Sequence, residues 1–421
     1  MSVTNEVKKT KRESVGMEVV AASEKVRYGV LPSSPMLRGL VLAVLALMAV
    51  VSTCIGVKEA AFSDPTKEGI DFQWSGANLL SQHQDPWKLY INHQDKGKII
   101  LGQQPNYLAE LFLLLQPLGR MPFQEAVKWW CGLNLIFTGC ILYILSKMFA
   151  LDRDHALLLT FLLMASMPFR VTLHNGQHSL FVLLMLCLAF FPRIPILNGL
   201  ALGVSYCKYS FAPAIVMMLL IKRRVGLILI SIIPPLVGLL VAWRMLGGSL
   251  KTLAFEPLAV ARIAMGPGMA DIMTFTEAML RRLQVSQALT FSIPSVLGLL
   301  AAAVSAIWVG RSTRMDEKLQ FAVVVVLTLM CLKHVEYDFV VLAVPVAAAV
   351  KAPRSKAQAI VLLCALHFWL LAPFIGRMFP TPPVHAPEVL IYGLLLLVMA
   401  IATSRLYPTL NAASALNAVS E

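Results

Sequence analysis

The stretch GLVLAVLALMAVVSTCIGV, residues 39–57, decides the fold class of this chain. It contains no charged residue, and as a helix rising about 1.5 Å per residue it is long enough to cross the hydrocarbon core of a bilayer. No small-residue cleavage site follows it. We therefore interpret it as an uncleaved signal anchor and not as a removed signal peptide.

The whole chain has the composition that this stretch suggests. Of its 421 residues, 58% are hydrophobic and only 14% are charged, with a mean hydropathy of +0.72. A soluble domain has roughly a quarter of its residues charged. The apolar runs are long and unbroken, unlike the alternating pattern of a membrane β-barrel. We predict an all-α polytopic membrane protein with a single transmembrane domain over residues 38–405.

The apolar runs predict about eleven to thirteen membrane segments, and several are shorter than the ~20 residues that a perpendicular span needs. Residues 195–207 and 209–221 together have the length of little more than one span, with a break near Lys208. With the first span leading outward, counting the crossings makes residues 106–118 re-entrant, unless another segment is miscounted. The predicted segments are 38–57, 106–118, 125–147, 156–171, 178–191, 195–207, 209–221, 225–246, 289–310, 319–332, 338–350, 358–375 and 388–404.

Basic residues set the orientation, because cytoplasmic loops are enriched in Lys and Arg. Lys222-Arg223-Arg224 is the clearest such loop, and the basic N-terminal tail 1–37 is predicted to be disordered and cytoplasmic. Residues 406–421 then form a second cytoplasmic tail. The long loops 58–105 and 248–288 lie on the extracytoplasmic side of the inner or plasma membrane. The first of them is expected to carry short interfacial helices.

The net charge of +13 is explained by these loops and tails, and no aromatic-interleaved basic patch indicates nucleic acid. The seven cysteines lie in or beside apolar runs and form no CxxC pair, so we interpret them as buried apolar residues. No HExxH motif or paired-carboxylate ligand set is present. We predict no metal and no cofactor, and the oligomeric state is left open.

Several motifs occur in an order that resembles one family of membrane enzymes. They are Asp71-Phe72 followed by GANLLSQHQDPWKLY (76–90), PNYLAELFLLLQPLGRMP (105–122), HNGQHSLFVLLMLCLAF (174–190), LNGLALGVSYCKYSFAPAIVMMLLIKRR (197–224) and LKHVEYDFVVLAVP (332–345). Together they resemble glycosyltransferase family 87, the polyprenyl-phosphate-sugar-dependent enzymes of the GT-C superfamily. Trp87 stands where that family usually has a tyrosine after Asp-Pro.

The resemblance implies a GT-C-like helical bundle and an inverting transfer of a hexose, such as mannose. The donor would be a polyprenyl-phosphate sugar in the membrane, and the acceptor a hydroxyl of a lipid or cell-envelope glycan. Such a reaction needs a base for the attacking hydroxyl and positive charge for the leaving phosphate. The alternatives are a secondary transporter, because broken segments such as 195–221 also occur there, and a non-catalytic membrane partner in envelope polymer assembly.

Asp71 is the candidate base, since family members use the equivalent aspartate in this role. The alternative is a solvated or helix-capping residue, because DFQW begins a plausible helix. Lys208 and His334 are the candidate partners of the leaving phosphate. A lysine at membrane depth usually faces a polar cavity, although a snorkelling lysine at a helix end is common.

The remaining candidates would bind substrate, and each has an ordinary structural alternative. Lys333 and Tyr337 lie beside His334, in what is otherwise a charged turn. Asn175 and Gln177 would bind sugar hydroxyls or an anion at a helix N-terminus, unless Asn175 only caps that helix. Trp87 and Tyr90 would form a sugar-stacking edge, unless they are interfacial aromatics.

Overall fold

The computed structural model describes residues 30–62, 71–100, 102–191, 194–264, 266, 268–372 and 386–406. These residues form helices joined by turns, and no β-strand occurs among them. The predicted all-α architecture is confirmed. Most of the two predicted cytoplasmic tails lies outside the described residues.

The helices are named here in chain order. They are α1 (Pro35–Ala61), α2 (Trp74–Ser81), α3 (Pro86–Ile91), α4 (Ala109–Leu114), α5 (Gln116–Gly119), α6 (Phe123–Met148), α7 (Arg153–Ala165), α8 (Met167–Asn175), α9 (Ser179–Phe190), α10 (Pro195–Ser205), α11 (Ala212–Ile221), α12 (Val225–Ser231), α13 (Ile233–Leu246), α14 (Leu250–Ala264), α15 (Ile272–Arg282), α16 (Gln287–Gly310), α17 (Glu317–Cys331), α18 (Ala343–Lys351), α19 (Lys356–Leu366) and α20 (Ala386–Ser404). Two 3₁₀ turns, Tyr206–Phe211 and Glu336–Leu342, precede α11 and α18.

Six helical stretches of the described residues are long and apolar enough to cross a membrane. They are α1, α6, the broken helix Pro195–Ile221, the pair Val225–Leu246, α16 and Pro387–Ser404. Helices α7 and α8 meet at an angle of 56°, and this bent pair would be a seventh if it forms one span. The prediction of a polytopic membrane protein is confirmed.

The other predicted segments are present as shorter helices. The predicted segment 106–118 forms α4 and α5, of six and four residues. At about 1.5 Å per residue neither can cross a bilayer about 30 Å thick. Helix α17 has 15 residues, all but a few buried by neighbouring helices. These short helices pack inside the bundle, so the full-length spans are fewer than the predicted membrane segments.

The outer surface of the long helices is apolar. Leu47 on α1, Leu229 on α12 and Val304 on α16 expose 66%, 61% and 67% of their surface. Side chains of this kind are stable against lipid tails and costly to expose to water. The exposed faces therefore mark the lipid-facing perimeter of the bundle.

The ends of the helices differ in chemistry. At one end basic side chains form ion pairs: Arg38 lies 2.7 Å from Asp154, Lys351 lies 3.8 Å from Asp152, and Arg224 lies 3.1 Å from Glu317. At the other end, α8, α11 and α17 reach turns rich in polar residues, where Lys208 and Lys333 pair with Asp338 and Glu277. The basic loops that the sequence assigns to the cytoplasm lie together, away from those turns.

Three breaks between helices lie at the end with the polar turns, which is called the polar end below. Gly176 ends α8 with a φ of +66°, and a Cβ there would lie only 2.5 Å from the Cβ of Phe72. Glycine alone avoids both the backbone strain and this clash. Lys208 interrupts the broken helix with φ −106° and ψ 76°, as the sequence predicted. The third break, 332–335, joins α17 to the second 3₁₀ turn.

The first loop packs back onto the bundle through α2. The apolar side of this short helix was expected to lie on the membrane. It instead faces α4 and α5, where a Cβ on Gly76 would come within 2.5 Å of the Phe112 ring. Phe72 and Leu80 are fully buried. This packing fixes the chain that carries Asp71 against the polar end.

Candidate active site

Asp71 is held by three side chains and one backbone contact. Gln73 Nε2 donates to its Oδ1 at 2.7 Å, while Gln177 Nε2 and the Tyr337 hydroxyl donate to Oδ2 at 2.6 and 3.3 Å. Its backbone N–H donates to the carbonyl of Asn175 at 2.9 Å. The carboxylate makes no capping bond to α2, whose N-cap is Gln73. The helix-capping alternative therefore does not apply.

Burial raises the pKa of the Asp71 carboxyl to about 6. The hydrogen bond from Gln177, the charge of Lys208 and the bonds from Gln73 and Tyr337 oppose this rise, but burial has the larger effect. A carboxylate with this pKa is still mostly ionised at neutral pH. It is also a stronger base than an ordinary aspartate.

An aromatic cluster supports Asp71 from behind. The Phe72 ring stacks on Trp130 with centroids 5.5 Å apart, and the His178 ring lies 5.0 Å from Trp130. Trp130 Nε1 donates to the carbonyl of Gly176 at 2.8 Å. These contacts join the first loop to the turn between α8 and α9, and so fix the position of Asp71 relative to Gln177.

Lys208 faces inward at the break between α10 and α11. Its ammonium binds the carboxylate of Asp338, lies 3.3 Å from the Ser179 hydroxyl, and lies 4.8 Å from the centre of the Tyr337 ring. Only 13% of the side chain is exposed. The alternative of a lysine that snorkels to the membrane surface does not apply.

Asp338 links the two candidate cationic groups. Its side chain is 1% exposed; Oδ1 accepts from Lys208 and from Ser179 Oγ at 2.6 Å, and Oδ2 lies 3.1 Å from His334 Nδ1. The His334 ring packs on Phe211 with centroids 4.3 Å apart. Its Nε2 has no hydrogen-bond partner among the described residues. Asp338 thus sets the orientation of both side chains.

A single cavity brings together the first loop and two of the chain breaks, at Lys208 and at 332–335. Asp71, Lys208, Lys333 and Tyr337 all line it, with Asp338 at its wall. Its other lining residues come from the segment before α4, from the 3₁₀ turn at Lys208, from the end of α14 and the loop after it, and from the break 332–335. They are Gln104, Asn106, Tyr107, Tyr209, Ser210, Ala264, Gly266, Gly268 and Val335.

Lys333 lines this cavity with its charge already paired. Its ammonium binds the carboxylate of Glu277 on α15, which also accepts two hydrogen bonds from Arg281, at 2.6 and 3.0 Å. Burial raises the pKa of Glu277, but these bonds and charges outweigh it and the pKa lies below its usual range. Both lysines are paired, but the partner of Lys208, Asp338, lines the cavity, whereas the partner of Lys333, Glu277, does not.

Both residues predicted to bind sugar hydroxyls or an anion, Asn175 and Gln177, contact Asp71. Gln177 uses its amide N–H to hold the carboxylate, and its Oε1 has no partner among the described residues. Asn175 is the last residue of α8 and does not cap α9, whose N-cap is His178. The structure gives both residues a positioning contact with Asp71, through a side chain in one case and the backbone in the other.

Trp87 and Tyr90 do not line the cavity. Trp87 is fully buried; its Nε1 donates to the carbonyl of Tyr107 at 3.2 Å, and its ring lies 5.2 Å from that of Phe112. Tyr90 is half-buried on α3. Trp87 contacts the cavity only indirectly, by supporting the backbone of Tyr107.

The sequence reasoning missed Asp338, Ser179 and Gln73 as parts of the site. A signal for Asp338 was available, because a charged residue in an apolar segment normally has a partner of opposite charge. Lys208 and Asp338 each adjoin an apolar segment. No comparable signal marks Ser179 or Gln73, since small polar residues occur at many helix ends.

The described residues hold no group of three or more His, Cys, Asp or Glu side chains that could bind a metal ion.

Comparison with known proteins identifies a family. The family model for glycosyltransferase family 87 matches residues 111–333, slightly more than half of the chain. No curated protein and no solved structure matches the chain. The matched region contains Gln177 and Lys208, whereas Asp71 precedes it and Asp338 follows it.

Proposed function

The chain belongs to glycosyltransferase family 87, and from this premise we propose that it transfers a hexose from a polyprenyl-phosphate sugar to an acceptor hydroxyl. The observation that carries the proposal is a single cavity lined by a carboxylate of raised pKa, Asp71, and by the ammonium of Lys208. A base and a cation near one another are what such a reaction requires.

Asp71 accepts the proton of the attacking hydroxyl. The acceptor oxygen bonds to the anomeric carbon as the bond to the donor phosphate breaks, and the phosphate leaves with the electron pair. Two carboxylates, Asp71 and Asp338, line the cavity among the described residues, and Asp338 is bound by Lys208 and Ser179. With no second free carboxylate to act as a nucleophile, a single displacement with inversion is favoured.

Lys208 and His334 stabilise the leaving phosphate. Lys208 presents an ammonium at the cavity, which is a strong hydrogen-bond donor to phosphate oxygens. His334 is held through Nδ1 by Asp338, and its unpartnered Nε2 is available for a further hydrogen bond. The leaving group is a lipid phosphate that stays in the membrane, which suits a cavity at the end of lipid-exposed helices.

The orientation of the helices supports an extracytoplasmic cavity. The basic loops at Arg38, Lys351 and Arg224 lie at the end of the helices away from Asp71. Basic loops are retained on the cytoplasmic side. The acceptor is then a lipid or envelope glycan on the outer side of the inner or plasma membrane, and mannose is the hexose that we would test first.

Donor use tests this proposal directly. The purified protein in liposomes should consume a polyprenyl-phosphate hexose and release polyprenyl phosphate when a membrane lipid extract supplies the acceptor. Thin-layer chromatography of radiolabelled donor gives the measurement, and the same sugar carried by a nucleotide is the control. Consumption of the nucleotide sugar and not of the lipid-linked sugar would overturn the proposed donor class.

The pH dependence tests the role of Asp71. Its carboxylate must be ionised to accept a proton, and its pKa is about 6. We expect kcat/KM to be near its maximum above about pH 7 and to fall as the pH drops through about 6, approaching tenfold per unit at lower pH. The phosphodiester of the donor keeps its single charge across this range. A profile that stays flat down to about pH 5 would contradict the proposal.

A further inference from the structure

A second, basic pocket adjoins the active cavity on the same side of the protein. It lies between α14, α15 and α16 and is lined by Arg262, Glu277, Arg281 and Phe291 among others. The two spaces share one ion pair, because Lys333 lines the first and its partner Glu277 lines the second. The proposed transfer reaction assigns no role to this pocket.

The pocket carries more positive than negative charge. The Arg262 guanidinium lies over the Phe291 ring, 5.3 Å from its centre, and binds no carboxylate among the described residues. Among the described residues, Glu277 is the only acidic side chain that lines the pocket, and Arg281 and Lys333 both bind it. Guanidinium groups bind phosphate oxygens through paired N–H donors, and stacking on an aromatic ring leaves those donors free.

Exposed apolar side chains occur on and beside the helices that carry the two arginines. On α14, Phe255, Leu258 and Ile263 expose 59%, 45% and 53% of their surface, and Leu283 after α15 exposes 70%. The opposite side of α14, with Val260 and Ala261, is buried in the protein. A helix that faces outward with apolar and basic residues is typical of the membrane surface, where it contacts anionic lipid.

We propose that this pocket binds the phosphate of an anionic membrane lipid and holds the lipid headgroup beside the active cavity. A free phosphate ion would gain nothing from the apolar residues, whereas a lipid contacts them with its acyl chains. This proposal does not depend on the transfer reaction, because lipid binding is measured without any sugar donor.

Native mass spectrometry of the full-length protein in detergent tests the proposal. Short-chain phosphatidylglycerol is the probe, with phosphatidylcholine and inorganic phosphate as comparison arms. We expect saturable binding of phosphatidylglycerol that weakens roughly tenfold in Arg262→Gln and again in the double variant with Arg281→Gln, since each change removes charge-assisted hydrogen bonds. Gel filtration and circular dichroism verify that the variants are folded.

Arg282→Gln is the matched control, because Arg282 is exposed, follows Arg281 directly and does not line the pocket. It should bind phosphatidylglycerol like the wild type. The proposal is overturned if Arg282→Gln weakens binding as much as the pocket variants, or if phosphatidylcholine binds equally well. Competition by inorganic phosphate at low concentration would also overturn it, in favour of a free-anion site.

Discussion

Asp71→Asn should reduce kcat/KM by about 10²–10⁴-fold, the usual contribution of a general base. Asparagine has nearly the same shape but cannot accept the proton of the attacking hydroxyl. The variant should fold, because Gln73 and Gln177 each have a side-chain oxygen without a partner among the described residues. If either amide turns over, that oxygen can accept a hydrogen bond from the new asparagine amide. Steady-state transfer from a polyprenyl-phosphate hexose in liposomes gives the measurement.

Asp95→Asn is the matched control for this prediction. Asp95 lies in the same loop and does not line the cavity, so the same chemical change there should leave the rate unchanged. Both variants should elute from gel filtration like the wild type. Transfer at the wild-type rate by folded Asp71→Asn would rule out Asp71 as the base. Equal losses in both variants would indicate that the loop, and not the carboxylate, is what matters.

Asp338→Asn should reduce both stability and transfer. Asp338 is 1% exposed and is the ionic partner of Lys208. Removing one member of a buried ion pair leaves the other charge uncompensated, which costs roughly 3–5 kcal/mol. Lys208 and His334 would also lose the group that orients them, so kcat/KM should fall as well. Thermal unfolding in detergent and the transfer assay give the two measurements.

A double variant separates the two effects. Asp338→Asn combined with Lys208→Gln removes both charges and should recover most of the lost stability. It should not recover transfer, because the ammonium that faces the phosphate is then missing. Ser179→Ala is the control, since it removes no charge: it deletes one hydrogen bond to Asp338 and one from Lys208, and should have a smaller effect on stability. Recovery of transfer together with stability would show that the ion pair is purely structural.

The sequence alone identifies the chain as a membrane protein, because the hydropathy of a spanning helix is a sum over neighbouring residues. A helix in lipid must be apolar along about 20 consecutive residues, and residues 39–57 can be read this way without knowing any other part of the chain. The break at Lys208 was predicted on the same basis. Asp71 and Lys208 were selected mainly by the resemblance of their motifs to a family, to which the chain does belong.

The sequence could not distinguish residues that look alike but differ in their surroundings. Trp87 was expected at a substrate edge or a membrane interface, and it lies in the interior behind Tyr107. Asn175 and Gln177 are predicted to bind sugar hydroxyls or an anion, and the structure adds that both contact Asp71. In each case the residue type fits several environments equally well, and only its neighbours in space decide among them.

The sequence by itself determined that this protein is a polytopic helical membrane protein and which kinds of polar group interrupt its apolar helices. Only the tertiary structure decided that these groups meet. Gln177 reaches Asp71 across 106 residues of chain, and Lys208 reaches Asp338 across 130. The physical reason is that burial and pairing depend on which helices pack together. Residues 39–57 require a membrane, but the packing of many helices is what surrounds Asp71 with hydrogen-bond donors and raises its pKa.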